Sequence, residues 1–291
     1  MDRRTFLSAA VMALCSGCLP QGGALTVGSK NFTEQLILGE LLKQLLASAC
    51  RTPVDGRFYL AGTYICQQAI LAGRIDAYVE YTGTALAAIL KQHLAGDAAK
   101  VYEYVREEYR RRFQLEVMPP LGFNNSFAMV MRPDDARRLG VTTLSQLAPV
   151  AAQLRLGVGY EFLERQDGYQ GLVRTYDLHF AEAPRVMDLG LLYRALQNHS
   201  VDMVAGNNTD GLIAALGLVV LQDDKRYFPP YDAVPIVRPS IFERCPQARA
   251  ALQSLAGCIT AGQMRAMNYA VDGEKKDPAI VARDFLGRAS L

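Results

Sequence analysis

Ile75-Asp76-Ala77-Tyr78-Val79-Glu80-Tyr81-Thr82-Gly83-Thr84-Ala85-Leu86 and Val201-Asp202-Met203-Val204-Ala205-Gly206-Asn207-Asn208-Thr209-Asp210-Gly211-Leu212 align without a gap, position 75 on position 201. Each stretch opens on an aliphatic residue and Asp, continues as a short β-like run, and passes through a polar Thr/Asn/Asp/Gly turn into an apolar helix. A second pair precedes each copy: Leu25-Thr26-Val27-Gly28-Ser29-Lys30 and Leu156-Gly157-Val158-Gly159-Tyr160-Glu161, both short strands ending in small or polar residues. The first of these runs into a helix from Glu34 to Leu46, with Leu38, Leu41, Leu42 and Leu45 on one stripe. Two pairs in the same order, at nearly the same offset, predict two similar α/β lobes with parallel sheets and helices on both faces. Ligands of open α/β sheets sit beyond the carboxyl ends of the strands, where loops meet helix N-termini. The four loops named here are therefore expected to face one another across a cleft.

Working outward, two extended segments mark passages between lobes. Ser126–Arg132 is a β-like run leaving the first lobe, and the Pro-rich run Pro229–Arg238 returns to it. Proline removes backbone donors and disfavours helix, so the second run suits an edge or crossing strand. Two crossing segments make a hinge. The expected division is residues 24–126 with 233–291 as lobe one and 127–232 as lobe two, the tail from Phe242 to Leu291 being helical and packed on lobe one. A short turn and helix are expected within 140–150.

Residues 1–23 read as an export leader. Arg3 and Arg4 form its charged start, and Phe6–Cys15 is an apolar run too short to span a membrane stably. Cys15-Ser16-Gly17-Cys18 resembles a lipobox, with Cys18 the acylation point and Cys15 where Leu is usual. Asp2-Arg3-Arg4-Thr5-Phe6-Leu7-Ser8 also resembles a twin-arginine signal, and either export route stays open. After removal of the leader, Cys50, Cys66, Cys245 and Cys258 remain. An oxidising compartment permits bridges, four Cys allow three full pairings, and free buried thiols are an equal alternative.

Composition excludes several classes. The 291 residues are 50% hydrophobic, enough for a large core, and the net charge of +2 points neither to nucleic acid nor to an anionic membrane. The Arg-rich stretch Arg106–Arg112 holds Glu107 and Glu108 and reads as a solvated helix face. His93, His179 and His199 lack metal-ligand spacing, the four Cys left after leader removal form no CxxC, and no GxSxG, HExxH or P-loop occurs. No catalytic residue, metal or cofactor is assigned.

Several motifs in order resemble the glycine betaine/choline/carnitine substrate-binding proteins of ABC importers: Val27–Glu40, Glu80–Leu86, Phe123–Met129, Glu161-Phe162 with Arg165 and Asp167-Gly168-Tyr169, Thr209-Asp210-Gly211, and Phe228–Asp232. The likeness runs from about residue 25 to 285. It implies a two-lobed α/β periplasmic-binding-protein fold of type II. It also implies an extracytoplasmic protein that hands a small cationic or zwitterionic solute to a permease and its ATPase; the lipobox-like leader adds the expectation of a lipid anchor, and a monomer is expected. Such proteins hold a quaternary ammonium among Tyr rings, because a ring face attracts a cation that cannot donate hydrogen bonds. Tyr81 matches a cage residue, and Gln35 and Thr84 match polar residues that orient the ligand. Phe127 stands where Tyr is frequent and lacks its hydroxyl. Asn207 stands where a Tyr ring is frequent and offers an amide instead. Asp210 is a candidate ligand or a helix cap. Lys30, Glu80, Glu161, Arg165 and Tyr231 are expected to support the site, with an Arg165–Asp167 pair ordering its loop. Three alternatives remain: a different zwitterion such as a betaine-like thione or amino-acid derivative, a sensor domain, and an exported enzyme on the same fold.

Overall fold

The computed structural model describes residues 23–92, 97–289 and 291. Cys18, nearly all of the leader and His93 lie outside the described residues. Among the described residues ten strands occur in chain order: β1 (Leu25–Gly28), β2 (Val54–Arg57), β3 (Ala77–Tyr81), β4 (Glu116–Val117), β5 (Phe127–Met131), β6 (Leu156–Val158), β7 (Arg185–Val186), β8 (Met203–Asn207), β9 (Val219–Val220) and β10 (Ala233–Val237). They form two five-stranded sheets, ordered β2-β1-β3-β10-β4 and β7-β6-β8-β5-β9. The repeat governs both. β3 and β8 are the third strand of their sheets, and β1 and β6 run parallel beside them.

Neither sheet is wholly parallel. β10 runs antiparallel to β3, pairing Ala233 with Tyr81, and β5 runs antiparallel to β8, pairing Phe127 with Asn207. Each is a crossing segment that enters its sheet from the other lobe's side, and this reverses its direction. β10 lies inside its sheet although Pro235 is at its centre. The Pro235 carbonyl accepts the Met118 N–H (2.8 Å) just past the two-residue β4, so the missing proline donor falls where that ladder is already ending.

Helices cover both faces of each sheet, giving each sheet two buried apolar clusters. The long helix Thr33–Ala49 buries Leu38, Leu41, Leu42 and Leu45 on the first sheet. In the second lobe the helix Pro133–Leu139, started by Pro133 and ended by Gly140 at φ +66° in the left-handed region, precedes the expected turn and short helix, which is a single 3-10 turn at Ser145–Leu147. The tail helices Ala261–Asp272 and Pro278–Ala289 add Met264, Met267, Val281 and Phe285 to the first core. Helix Ala261–Asp272 also touches the second lobe. A Cβ on Gly211 would lie 2.4 Å from the Tyr269 nitrogen, so glycine permits this approach.

The Asp that opens each repeat has one structural task. Asp76 accepts the Thr26 N–H (2.9 Å) and faces Arg238 and Arg244, while Asp202 accepts the Arg155 N–H (2.9 Å) and pairs with the Arg155 and Arg132 guanidinia. Each thereby fixes the start of the neighbouring parallel strand. Partial burial would raise the Asp202 carboxyl, but hydrogen bonds and charge from Arg155, with help from Arg132, hold it down at about 2. A depressed carboxylate stabilises the fold above its unfolded value near 4 and loses that contribution as pH falls through 2. Asp202→Asn is expected to cost roughly 2 kcal/mol at neutral pH and almost nothing below pH 2. Denaturant unfolding of parent and variant across pH 2–7 checks this, and a pH-independent difference contradicts it.

One disulfide joins Cys50, just past the first helix, to Cys245, just past helix Ser240–Arg244. Cys66 and Cys258 are free. Burial pushes the Cys66 thiol up to about 12, which keeps it protonated and unreactive.

Candidate functional site

A cavity of about 450 Å3 lies between the two sheets, a volume typical of small-molecule sites. All four loops at the carboxyl ends of β1, β3, β6 and β8 contribute to its wall: Lys30 to Phe32, Tyr81 and Thr84, Gly159 to Phe162, and Asn207. The crossing segments add Asn125, Phe127 and Tyr231 at the floor.

Six aromatic residues line this wall: Phe32, Tyr81, Phe127, Tyr160, Phe162 and Tyr231. Phe32 stacks beside Tyr81 with centroids 6.4 Å apart and planes 23° apart. Phe127 meets Phe162 edge-on at 4.9 Å and Tyr231 edge-on at 5.8 Å. The Tyr81 ring cannot swing, because its hydroxyl donates to Glu34 Oε1 (2.6 Å). Burial, and then the Glu34 charge, push that hydroxyl well above its ordinary range, so Tyr81 stays a neutral donor.

Two cations stand against these rings. The Lys30 ammonium lies 5.1 Å from the Tyr81 centroid, is paired with Glu80 and donates to Thr63 Oγ1 (2.9 Å). Glu80 also accepts the Tyr81 N–H (2.7 Å). Burial raises the Glu80 carboxyl while Lys30 pulls it down. The Arg165 guanidinium lies 4.8 Å from the Phe127 centroid and 5.8 Å from that of Tyr231. Its Nε and Nη2 grip Asp167 (2.9 and 2.5 Å), which also accepts the Tyr231 hydroxyl (2.5 Å). Arg165 is 5% exposed, and among the described residues nothing takes up its Nη1. The two lobes meet at the rim, where the Thr63 N–H donates to Glu161 Oε1 (2.5 Å) and the Tyr59 hydroxyl to Asp188 Oδ2 (3.3 Å).

The cavity therefore brings together Tyr81, Thr84, Phe127, Asn207, Lys30, Glu161, Arg165 and Tyr231. Glu80 lies beneath it, fully buried. Gln35 and Asp210 lie outside its lining. Gln35 is buried one helix position past Glu34, where its Oε1 accepts the Lys30 backbone N–H (3.5 Å). Asp210 makes no cap bond. Its Oδ2 turns back to the Asn207 N–H (2.8 Å) and the Tyr193 hydroxyl (2.6 Å), and burial pushes its carboxyl up to about 7. Phe32, Asn125 and Phe162 line the site without having been singled out, although each lies inside a motif quoted above. The Val186–Leu189 wall carried no sequence signal.

The cavity offers the fixed positive charges of Lys30 and Arg165, several aromatic rings, and the acids Glu161 and Asp188. No group of acidic, His or Cys side chains among the described residues could hold a metal.

Residues 23–288 match the family described as "Substrate binding domain of ABC-type glycine betaine transport system". A carnitine transport binding protein of Listeria monocytogenes is 33% identical, covering 90% of this chain and 85% of its own. An ergothioneine transport permease/ergothioneine binding protein of Helicobacter pylori is 35% identical over 92% of this chain, which spans only 48% of that longer protein. The crystal structure of a glycine betaine/carnitine/choline ABC transporter superposes with a TM-score of 0.74 at 30% identity, covering 91% of this chain and 98% of that one.

Proposed function

The chain belongs to the substrate-binding family of ABC-type glycine betaine transport systems, and from that premise we propose that its cavity captures a zwitterion bearing a quaternary ammonium and a carboxylate. As the extracytoplasmic binding component of an importer, and not an enzyme, it delivers this solute to a permease. The carrying observation is that Lys30 and Arg165, each held by a buried carboxylate, share one cavity with the ring faces of Tyr81, Phe32 and Phe127. The cations meet the solute carboxylate, Arg165 through its Nη1, and the rings meet the methylated ammonium at about 0.5–2 kcal/mol each. Gln35 and Asp210 act from behind the wall. The solute draws residues 24–126 with 233–291 toward 127–232 about the two crossing strands, because it touches both lobes only when they are together. The protein works as a monomer tethered through lipid on Cys18. The Cys50–Cys245 bridge is consistent with export to an oxidising compartment.

A specific observation favours a solute larger than glycine betaine. Phe127 and Asn207, the two positions lacking a frequent Tyr, are direct partners across β5 and β8. One hydroxyl and one ring are thus missing at the same place, where an amide now faces the cavity. A betaine with a polar ring fits that enlargement, and the Helicobacter pylori relative is named for ergothioneine, such a molecule.

Calorimetry with glycine betaine, choline, carnitine and ergothioneine tests both readings. Tyr81→Ala should weaken the best solute roughly three- to thirtyfold, and Asn207→Tyr should shift preference toward glycine betaine. Choline, which has no carboxylate, binding best of the four would remove the role given to Lys30 and Arg165. A folded protein binding none of them retires the zwitterion reading.

A further inference from the structure

Glu34 is 2% exposed in the first turn of helix Thr33–Ala49, and its carboxylate accepts four neutral donors and no cation. Oε1 takes the Tyr81 hydroxyl (2.6 Å) and Asn125 Nδ2 (2.8 Å), while Oε2 takes the Thr209 hydroxyl (2.6 Å) and Asn268 Nδ2 (3.0 Å). These donors come from four separate segments: the end of β3, the approach to the crossing strand β5, the turn after β8 on the second sheet, and the tail helix Ala261–Asp272. Both amides spend their donors on Glu34 while their Oδ1 atoms find no partner, so the network is organised around this one acceptor. Asn268 Nδ2 also reaches the Thr209 carbonyl (2.8 Å) and so grips the second lobe at the same point.

Burial raises the Glu34 carboxyl and the donors, Thr209 foremost, lower it. The donors oppose this rise without cancelling it, so each donor lost removes support from the carboxylate. Of the four, Thr209 belongs to the second sheet and can reach Glu34 only when the lobes are together.

We propose that Glu34 is the positioning residue that couples solute capture to lobe closure, holding the Tyr81 ring against the cavity with one oxygen and fastening Thr209 of the opposite lobe with the other. This rests on the reading of the cavity as the solute site. A solute that settles the Tyr81 ring firms the first hydrogen bond, and closure completes the second on the same carboxylate. The coupling runs through one shared acceptor.

The experiment is a double-mutant cycle with Glu34→Gln and Thr209→Val, read by stopped-flow solute binding and by small-angle scattering of the purified protein with and without solute. Thr209→Val loses one hydrogen bond and should speed solute release about three- to tenfold with association little changed. Glu34→Gln sets an amide against the Asn donors and should speed release at least about tenfold. The double variant should release no faster than Glu34→Gln alone, since Thr209 acts through Glu34. Multiplying effects, or a Thr209→Val protein that releases solute like the parent, overturns the proposal, even if Glu34→Gln lowers thermal stability. If the parent binds no solute, the functional reading has failed by itself. Scattering then still decides: a more expanded average for Thr209→Val than for the parent supports the fastening, and identical curves overturn it.

Discussion

Replacing Arg165 by Met is expected to abolish solute capture and to cost roughly 3–5 kcal/mol of stability, the range for breaking one side of a buried ion pair. The guanidinium is 5% exposed and Asp167 6%, so neither charge has water to fall back on. Without Arg165, Asp167 keeps, among the described residues, the Tyr231 hydroxyl as its one side-chain partner, and the Phe127 and Tyr231 faces lose the cation stacked on them. Two companion variants separate folding from binding. Arg165→Met with Asp167→Asn removes both charges and should recover most of the stability, because the stranded carboxylate is gone, but none of the binding. Arg165→Lys keeps the charge but cannot grip Asp167 with two parallel bonds, so both properties should fall partway. Denaturant unfolding and calorimetry on the same samples read the two effects. A doubly neutral variant that still binds the zwitterion contradicts the carboxylate role of Arg165.

Loss of the Cys50–Cys245 bridge is expected to be about as costly. It closes a span of 195 residues that contains the whole second sheet and both crossing strands. The chain-entropy model puts the stabilisation from a loop this long at about 5 kcal/mol, an upper figure because native and unfolded states both relax. Paired Cys50→Ala and Cys245→Ala substitutions should therefore lower the denaturant midpoint strongly, and a reductant should do the same to the parent alone. Solute affinity should change little, since neither cysteine lines the cavity. Cys66 cannot take over as a partner, with its thiol buried and protonated. Equal midpoints for parent and variant would show that the bridge adds no stability.

The amino-acid sequence by itself determined the repeated strand–turn–helix unit, and through it the two matching sheets. The signals for that unit are local: aliphatic-Asp starts, β-like runs such as Tyr78–Tyr81, and Thr/Gly or Asp/Gly turns all act within a dozen residues. It determined the cleft loops as well, because strand direction alone places them at the carboxyl ends. Tyr81, Thr84 and Asn207 thus reach the cavity wall, while Phe127 reaches it from the start of the antiparallel crossing strand β5. Only the tertiary structure decided which cysteines meet, since Cys50 and Cys245 are 195 positions apart and no spacing rule joins them. The same holds for Glu34, which draws donors from Thr209 and Asn268, 175 and 234 positions away. Its neighbour Gln35, one helix step around, points elsewhere. Asp210 resembled a cap by position, but its carboxylate follows Tyr193 from a different helix. Local pattern sets which side chains stand at the end of a strand. Where each one then turns depends on partners that only the folded chain brings within hydrogen-bonding distance.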